Sequence, residues 1–79
     1  MTGTEGTREL SRRMSDAEVV RAMGWGVGTQ IVGDEGYGPT TLLITAVGED
    51  SILARPLGDK KWWENTWTLA HRDWKEVTS

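Results

Sequence analysis

The chain of 79 residues contains no cysteine and no phenylalanine, and it has no long apolar run. Without cysteine there is no disulfide, no thiolate nucleophile and no cysteine-based zinc site. No apolar stretch approaches the roughly 18 residues that a membrane span requires, and the polar opening residues lack the pattern of a signal peptide. We therefore expect a cytoplasmic protein whose fold depends on packing alone.

Charge is unevenly distributed along the chain, whose formal net charge is −3. The middle of the sequence carries one arginine, Arg55, and four acidic residues: Asp34, Glu35, Glu49 and Asp50. Nonspecific nucleic-acid binding depends on clustered lysine and arginine, so this pattern gives nucleic acid only weak support as a partner. An acidic central edge favours a basic protein partner instead.

Composition divides the chain into an arm and one domain. Residues 1–14 begin with small polar side chains, which offset little of the entropy lost on ordering, and we expect a flexible arm. Leu10 and Met14 form an i, i+4 pair that could extend helical structure into this arm. Residues 15–79 are enough for a single small domain.

A leading helix is predicted at the start of that domain. Ser15 is followed three residues later by Glu18, which matches a capping box. The helix is expected over residues 16–23, and Gly24 is its natural end.

Alternating apolar residues behind the helix predict a mainly β domain. Strands are expected at residues 29–32, 40–47, 51–55, 62–69 and 75–77, with a single helical turn at 70–74. In the second strand, strict alternation places Ala46 on the face of Leu42 and Ile44, with Val47 on the opposite face.

Five tryptophans supply most of the aromatic surface. Trp63 and Trp67 share one predicted strand face and are expected in the core, whereas Trp62 points the other way. Trp25 and Trp74 are expected to cover the ends of the domain. Each indole buries a large area and has an N–H that requires a partner.

The order of these elements from residue 27 to 77 resembles an SH3-like barrel. A strand and a long loop precede two strands joined by a tight turn, and a tryptophan-bearing strand, a helical turn and a short last strand follow. The segment WTLAHRDWKEV at 67–77 is similar to the ends of small uncharacterised proteins of actinobacterial phages. The resemblance implies a small SH3-like barrel of about five strands with a short N-terminal helix, and a phage origin in a bacterial host cytoplasm.

No set of residues in the sequence predicts catalysis or a cofactor. His71 is the single histidine, and its neighbour Asp73 is too close in sequence to be expected to face it. The glycines between Gly24 and Gly28 match no phosphate-binding motif and are expected to form a turn. We therefore predict a protein that is not an enzyme and holds no metal.

The leading hypothesis is a small non-enzymatic binding module, a phage-encoded adaptor or inhibitor of a host or viral protein. Its predicted protein-binding surface combines two aromatic side chains with the acidic loop tips: Trp62, Tyr37, Asp34, Glu35, Glu49 and Asp50.

Two alternatives remain open at this stage. In the first, Trp62 stacks on a nucleotide or a single strand while cationic side chains contact the phosphates: Lys60, Lys61 and Arg55. In the second, the protein is a minor structural component of a virion. Small β domains also pair their edges, so a homo-oligomer is compatible with either function.

Overall fold

A computed structural model of the chain describes residues 6–34, 38–58 and 64–77. Two short helices, α1 (Thr7–Leu10) and α2 (Asp16–Ala22), precede five strands. The strands are β1 (Gln30–Asp34), β2 (Pro39–Val47), β3 (Ile52–Pro56), β4 (Asn65–Trp67) and β5 (Trp74–Glu76). The prediction of a mainly β domain of about five strands behind a leading helix is confirmed.

The strands form one sheet in the order β4-β3-β2-β1-β5. Every pair of neighbours is antiparallel, and β1 lies between β2 and β5, which joins the first strand to the last. The tight turn between β2 and β3 makes the predicted hairpin. β4 and β5 are the edges of the described sheet.

α2 begins with the predicted capping box. The backbone N–H of Ser15 donates to Glu18 Oε1 at 2.8 Å, and the Ser15 hydroxyl accepts from the Glu18 N–H at 3.2 Å. These two bonds satisfy backbone donors that a helix start otherwise leaves unpaired. The helix ends where Gly24 adopts φ 80°, a conformation that favours glycine.

The end of the predicted flexible arm packs against the domain. Thr7 is fully buried and Leu10 is part of the apolar core, although both lie within the range expected to be flexible. α1 is a separate helix and does not continue into α2, because residues 11–14 form a turn. Residues 1–5 lie outside the described part of the chain.

The core lies between the sheet and α2. Its fully buried side chains are mostly aliphatic, whereas Trp25 and Trp74 are 7% and 3% exposed and Trp67 packs against the cluster from its edge. The buried aliphatic side chains include Val19, Val20, Ile31, Leu42, Ile44, Ile52 and Leu69. The Trp67 indole N–H donates to the Ala54 carbonyl at 3.0 Å, so this partly buried donor has a hydrogen-bond partner.

The predicted alternation along β2 is wrong beyond Ile44, because the register shifts there. Ile44 pairs with Ala54, but the next paired residue is Ala46, so Thr45 is an extra residue in this strand. One extra residue reverses the two faces. Val47 therefore packs against the core, opposite Ile52, and Ala46 lies on the other face.

The connection from β4 to β5 is a bent segment, and the helical turn predicted for residues 70–74 is wrong. Side chains hold this connection in place of a helical ladder. The Ala70 N–H donates to the Thr68 hydroxyl at 3.3 Å, and the Leu69 N–H donates to Asp16 Oδ1 at 2.9 Å. Leu69 itself is fully buried.

Replacing Gly33 by alanine is expected to destabilise the fold. A Cβ at Gly33 would lie 2.6 Å from Arg72 Cδ and 2.9 Å from the Trp74 ring, which packs directly over the glycine. Overpacking of this kind costs about 1–3 kcal/mol, measured as a loss of unfolding free energy in urea. Gly26→Ala is the matched control, since nothing lies within 4 Å of its Cβ position; an equal loss in both variants would contradict the packing.

Candidate functional site

A groove lies between α2 and the β2–β3 turn, with a volume of about 530 Å³. It is lined by one apolar side chain and four charged ones: Met14, Glu18, Arg21, Glu49 and Asp50. The helix supplies one wall and the turn supplies the other. Two of the six residues predicted to bind a protein, Glu49 and Asp50, therefore lie together at this groove.

Backbone carbonyls of the turn are bound directly by α2. Arg21 Nη2 donates to the Gly48 carbonyl at 2.9 Å and to the Glu49 carbonyl at 3.2 Å. The Ala17 N–H, in the first turn of α2, donates to the Asp50 carbonyl at 3.2 Å. These bonds fix the spacing of the two walls without using either carboxylate of the turn.

The carboxylate of Asp16 connects the same helix to the other half of the sheet. Its Oδ1 accepts the Leu69 N–H at 2.9 Å and lies 3.5 Å from the Thr68 hydroxyl, which donates to it. Leu69 follows β4, so the first turn of α2 contacts both the β2–β3 turn and the β4–β5 connection. The helix cannot move away from the groove without breaking bonds to both segments.

The groove carries more negative than positive charge. Hydrogen bonds from the Ser15 backbone N–H and with its hydroxyl lower the pKa of Glu18. Loss of hydration raises it to a lesser extent, and the charge of Arg21 makes the smallest contribution, which lowers it. Glu49 and Asp50 are exposed, and neither carboxylate has a hydrogen-bond or ion-pair partner among the described residues. Three carboxylates and one guanidinium thus line the groove, and the guanidinium already binds two carbonyls.

Of the other residues of the predicted protein-binding surface, the structure describes only Asp34, whose backbone lies away from this groove. Asp34 ends β1 beside Pro39, and this β1–β2 connection lies at the opposite end of β2 from the β2–β3 turn. Tyr37, Glu35 and Trp62 lie outside the described residues.

The predicted nucleotide-binding residues are only partly described. Arg55 is half-buried in β3, where it pairs in register with Leu43, and it does not line the groove. Lys60, Lys61 and Trp62 fall in residues 59–63, outside the described part of the chain, and so does Trp63.

Sequence reasoning missed Met14, Glu18 and Arg21 as site residues. The spacing of Glu18 and Arg21, i and i+3 on one helix, places them on neighbouring positions of one face and could have indicated a charged helix surface. No local pattern shows that the β2–β3 turn packs beside that surface, because the contact joins residues 27 and 28 positions apart.

The structure gives His71 and Asp73 separate environments. His71 is exposed, whereas Asp73 Oδ1 accepts the Arg8 N–H at 3.1 Å and so caps α1. Within the described ranges, no group of three or more His, Cys, Asp or Glu side chains is placed to hold a metal ion. No described helix is long and apolar enough to cross a membrane.

Fold and groove define a small antiparallel β domain with an open acidic site between α2 and the β2–β3 turn. Residues 14–79 match the model of DUF7241, a domain of unknown function, and the chain belongs to this family. The match includes α2 and all five strands and begins after α1. Comparisons with curated proteins and with solved structures returned no match.

Ser15→Ala is expected to raise the pKa of Glu18 toward its ordinary value, since the hydroxyl bond that favours the carboxylate is lost. Because the folded-state pKa is lowered, Glu18 contributes stability above its unfolded-state pKa, and this contribution is lost as the pH falls through the folded value. Titration of the Glu18 carboxyl carbon by NMR measures the shift. Ser51→Ala, at an exposed position, is the control, and an unshifted Glu18 in the wild-type protein would contradict the capping account.

Proposed function

We propose that this protein is a non-enzymatic binding module that holds a basic segment of a partner protein in the groove between α2 and the β2–β3 turn. In this proposal it is a phage-encoded adaptor or inhibitor, and the partner is a host or viral protein. The single observation that carries the proposal is the combination of one apolar side chain, Met14, with three carboxylates in one fixed groove.

The chemistry of the groove fits a lysine or arginine side chain of the partner. An aliphatic stem can lie along Met14 while the cationic head reaches the carboxylates of Glu49 and Asp50, which have no partner among the described residues. Hydrogen bonds from such a cation to carboxylates are stronger than neutral ones. Arg21 would stay on its carbonyls and would not compete for the same carboxylates.

The rigid frame of the groove supports recognition of a segment, not of a charge alone. Both walls are held by hydrogen bonds to backbone groups, so the backbone of the site has little conformational entropy left to lose on binding. Exposed ion pairs contribute little affinity each, so the charges mainly supply orientation and fast association. We expect binding that weakens as salt concentration rises.

The SH3-like barrel and the phage origin are parts of this proposal. The strand order, in which β1 lies between β2 and β5 while β2 continues into the β3 hairpin, supports the barrel assignment. The groove lies at one end of the β2–β3 hairpin, next to its turn.

A short peptide that contains lysine and arginine is expected to bind at the groove. In NMR titrations of the ¹⁵N-labelled protein, the amides of Glu18, Arg21 and Glu49 should shift, and an acidic peptide of equal length should leave them unchanged. The double variant Glu49→Gln, Asp50→Asn should weaken binding at least threefold, because it removes two charges from the site and leaves the backbone bonds in place.

The matched control is the double variant Glu64→Gln, Glu76→Gln, which changes the net charge equally at two exposed positions outside the groove. It should bind the basic peptide as the wild type does. Equal weakening in both double variants would show nonspecific attraction and would contradict the assigned site. Shifts produced by a short single-stranded oligonucleotide at the same amides would contradict the choice of partner.

A further inference from the structure

The outer edge of β5 carries backbone N–H and C=O groups that do not pair with β1. The Val77 N–H donates to the Gln30 carbonyl at 2.8 Å, and Lys75 is in register with Val32, so residues 75 and 77 point toward β1. In an antiparallel pair the intervening residues point the other way. The N–H and C=O groups of Trp74 and Glu76 therefore face away from β1.

α1 covers the first part of this edge. The Thr7 hydroxyl accepts the Trp74 N–H at 2.7 Å and donates to the Arg72 carbonyl at 3.3 Å. Asp73 caps α1 by accepting the Arg8 N–H at 3.1 Å. One buried side chain thus occupies the donor and acceptor that an additional strand would use.

The charges of the edge strand are self-complementary about Trp74. The sequence of residues 72–76 is Arg-Asp-Trp-Lys-Glu, with opposite charges at equal distances on the two sides of the tryptophan. If two copies pair antiparallel about a two-fold axis at Trp74, Lys75 lies opposite Asp73 of the second copy. The two-fold axis repeats this pair on the other side of Trp74, so both cross-strand pairs have opposite charges.

This register also satisfies the hydrogen-bonding pattern. With α1 displaced, Trp74 presents both its N–H and its C=O at the edge, so two copies of Trp74 can exchange a pair of backbone bonds. The next two registers that keep the hydrogen-bonding pattern place either Asp73 or Lys75 on the two-fold axis. In both of them a charged residue lies directly opposite the same residue of the second copy, and like charges in that position are unfavourable. Charge thus selects the register centred on Trp74.

We propose that the edge of β5 is a homodimer surface and that α1 competes with the second copy for it. When α1 is docked, Thr7 holds Trp74 and Asp73 caps the helix. When α1 is displaced, Trp74 pairs with its copy and Asp73 is released to meet Lys75 of the second copy. The proposal is independent of the groove, and α1 also precedes the part of the chain that matches the family.

Thr7→Val tests the competition, because valine keeps the shape of threonine and removes both bonds to the edge. Sedimentation equilibrium of the full chain should show a dimer dissociation constant at least tenfold lower than for the wild type. Circular dichroism verifies that the variant is folded. A folded Thr7→Val protein that dimerises no more tightly than the wild type would overturn the proposal.

Charge exchange identifies the surface. Adding Lys75→Asp to Thr7→Val places acidic residues opposite Asp73, and the gain in dimer affinity should disappear. Adding Asp73→Lys to that pair of substitutions restores opposite charges and should restore the dimer. If Lys75→Asp leaves the dimer intact, another surface is responsible and the proposal fails.

A second variant keeps the test decisive if Thr7→Val does not fold. A Cβ on Gly6 would collide with the Asp73 carboxylate, so Gly6→Ala is expected to move that carboxylate off the Arg8 N–H and weaken the docking of α1 while Thr7 is retained. The same charge exchanges are then made in this background, with the same expected loss and recovery. Arg12→Ala, at an exposed residue after α1, is the control, and its dimer dissociation constant should equal that of the wild type.

Discussion

The first turn of α2 is the constraint on which the rest of the molecule depends. Within four residues it caps itself through Ser15, binds the β2–β3 turn through the Ala17 N–H and binds the β4–β5 connection through the Asp16 carboxylate. A seven-residue helix is too short to be stable alone, and these contacts replace the stability that length would give. The same contacts place Glu18 and Arg21 beside the turn and so create the groove.

Both helices use side chains or helix-end amides to bind backbone groups that are not paired between strands. α2 binds the carbonyls of Gly48, Glu49 and Asp50 at the hairpin, and α1 binds the edge of β5 through Thr7. The difference lies in how many segments each helix joins. α2 joins two separate connections and forms a fixed wall, whereas the described hydrogen bonds of α1 to the sheet are confined to residues 72–74, and in the proposed dimer a strand of the second copy replaces it.

Local patterns explain how much of this the sequence predicts. The capping box, the Gly24 helix end and the hairpin each depend on residues a few positions apart, and all three are confirmed. The extra residue at Thr45 follows from the pairing of two strands, so alternation alone placed Val47 on the wrong face. The Thr7–Trp74 bond joins residues 67 positions apart, and the groove likewise arises only after the chain has folded. The charge pattern predicts Glu49 and Asp50 as binding residues, but it does not predict that they share a groove with Glu18.

Amide hydrogen exchange tests the role of α2 most directly. If its first turn joins the two halves of the molecule, the amides of Ala17 and Leu69 exchange as slowly as that of Ile44, which donates to Thr29 in the core of the sheet. The account predicts that all three open together, with the free energy of global unfolding. Rapid exchange at Ala17 and Leu69 while Ile44 stays protected would contradict it, because the helix would then be free to leave the sheet.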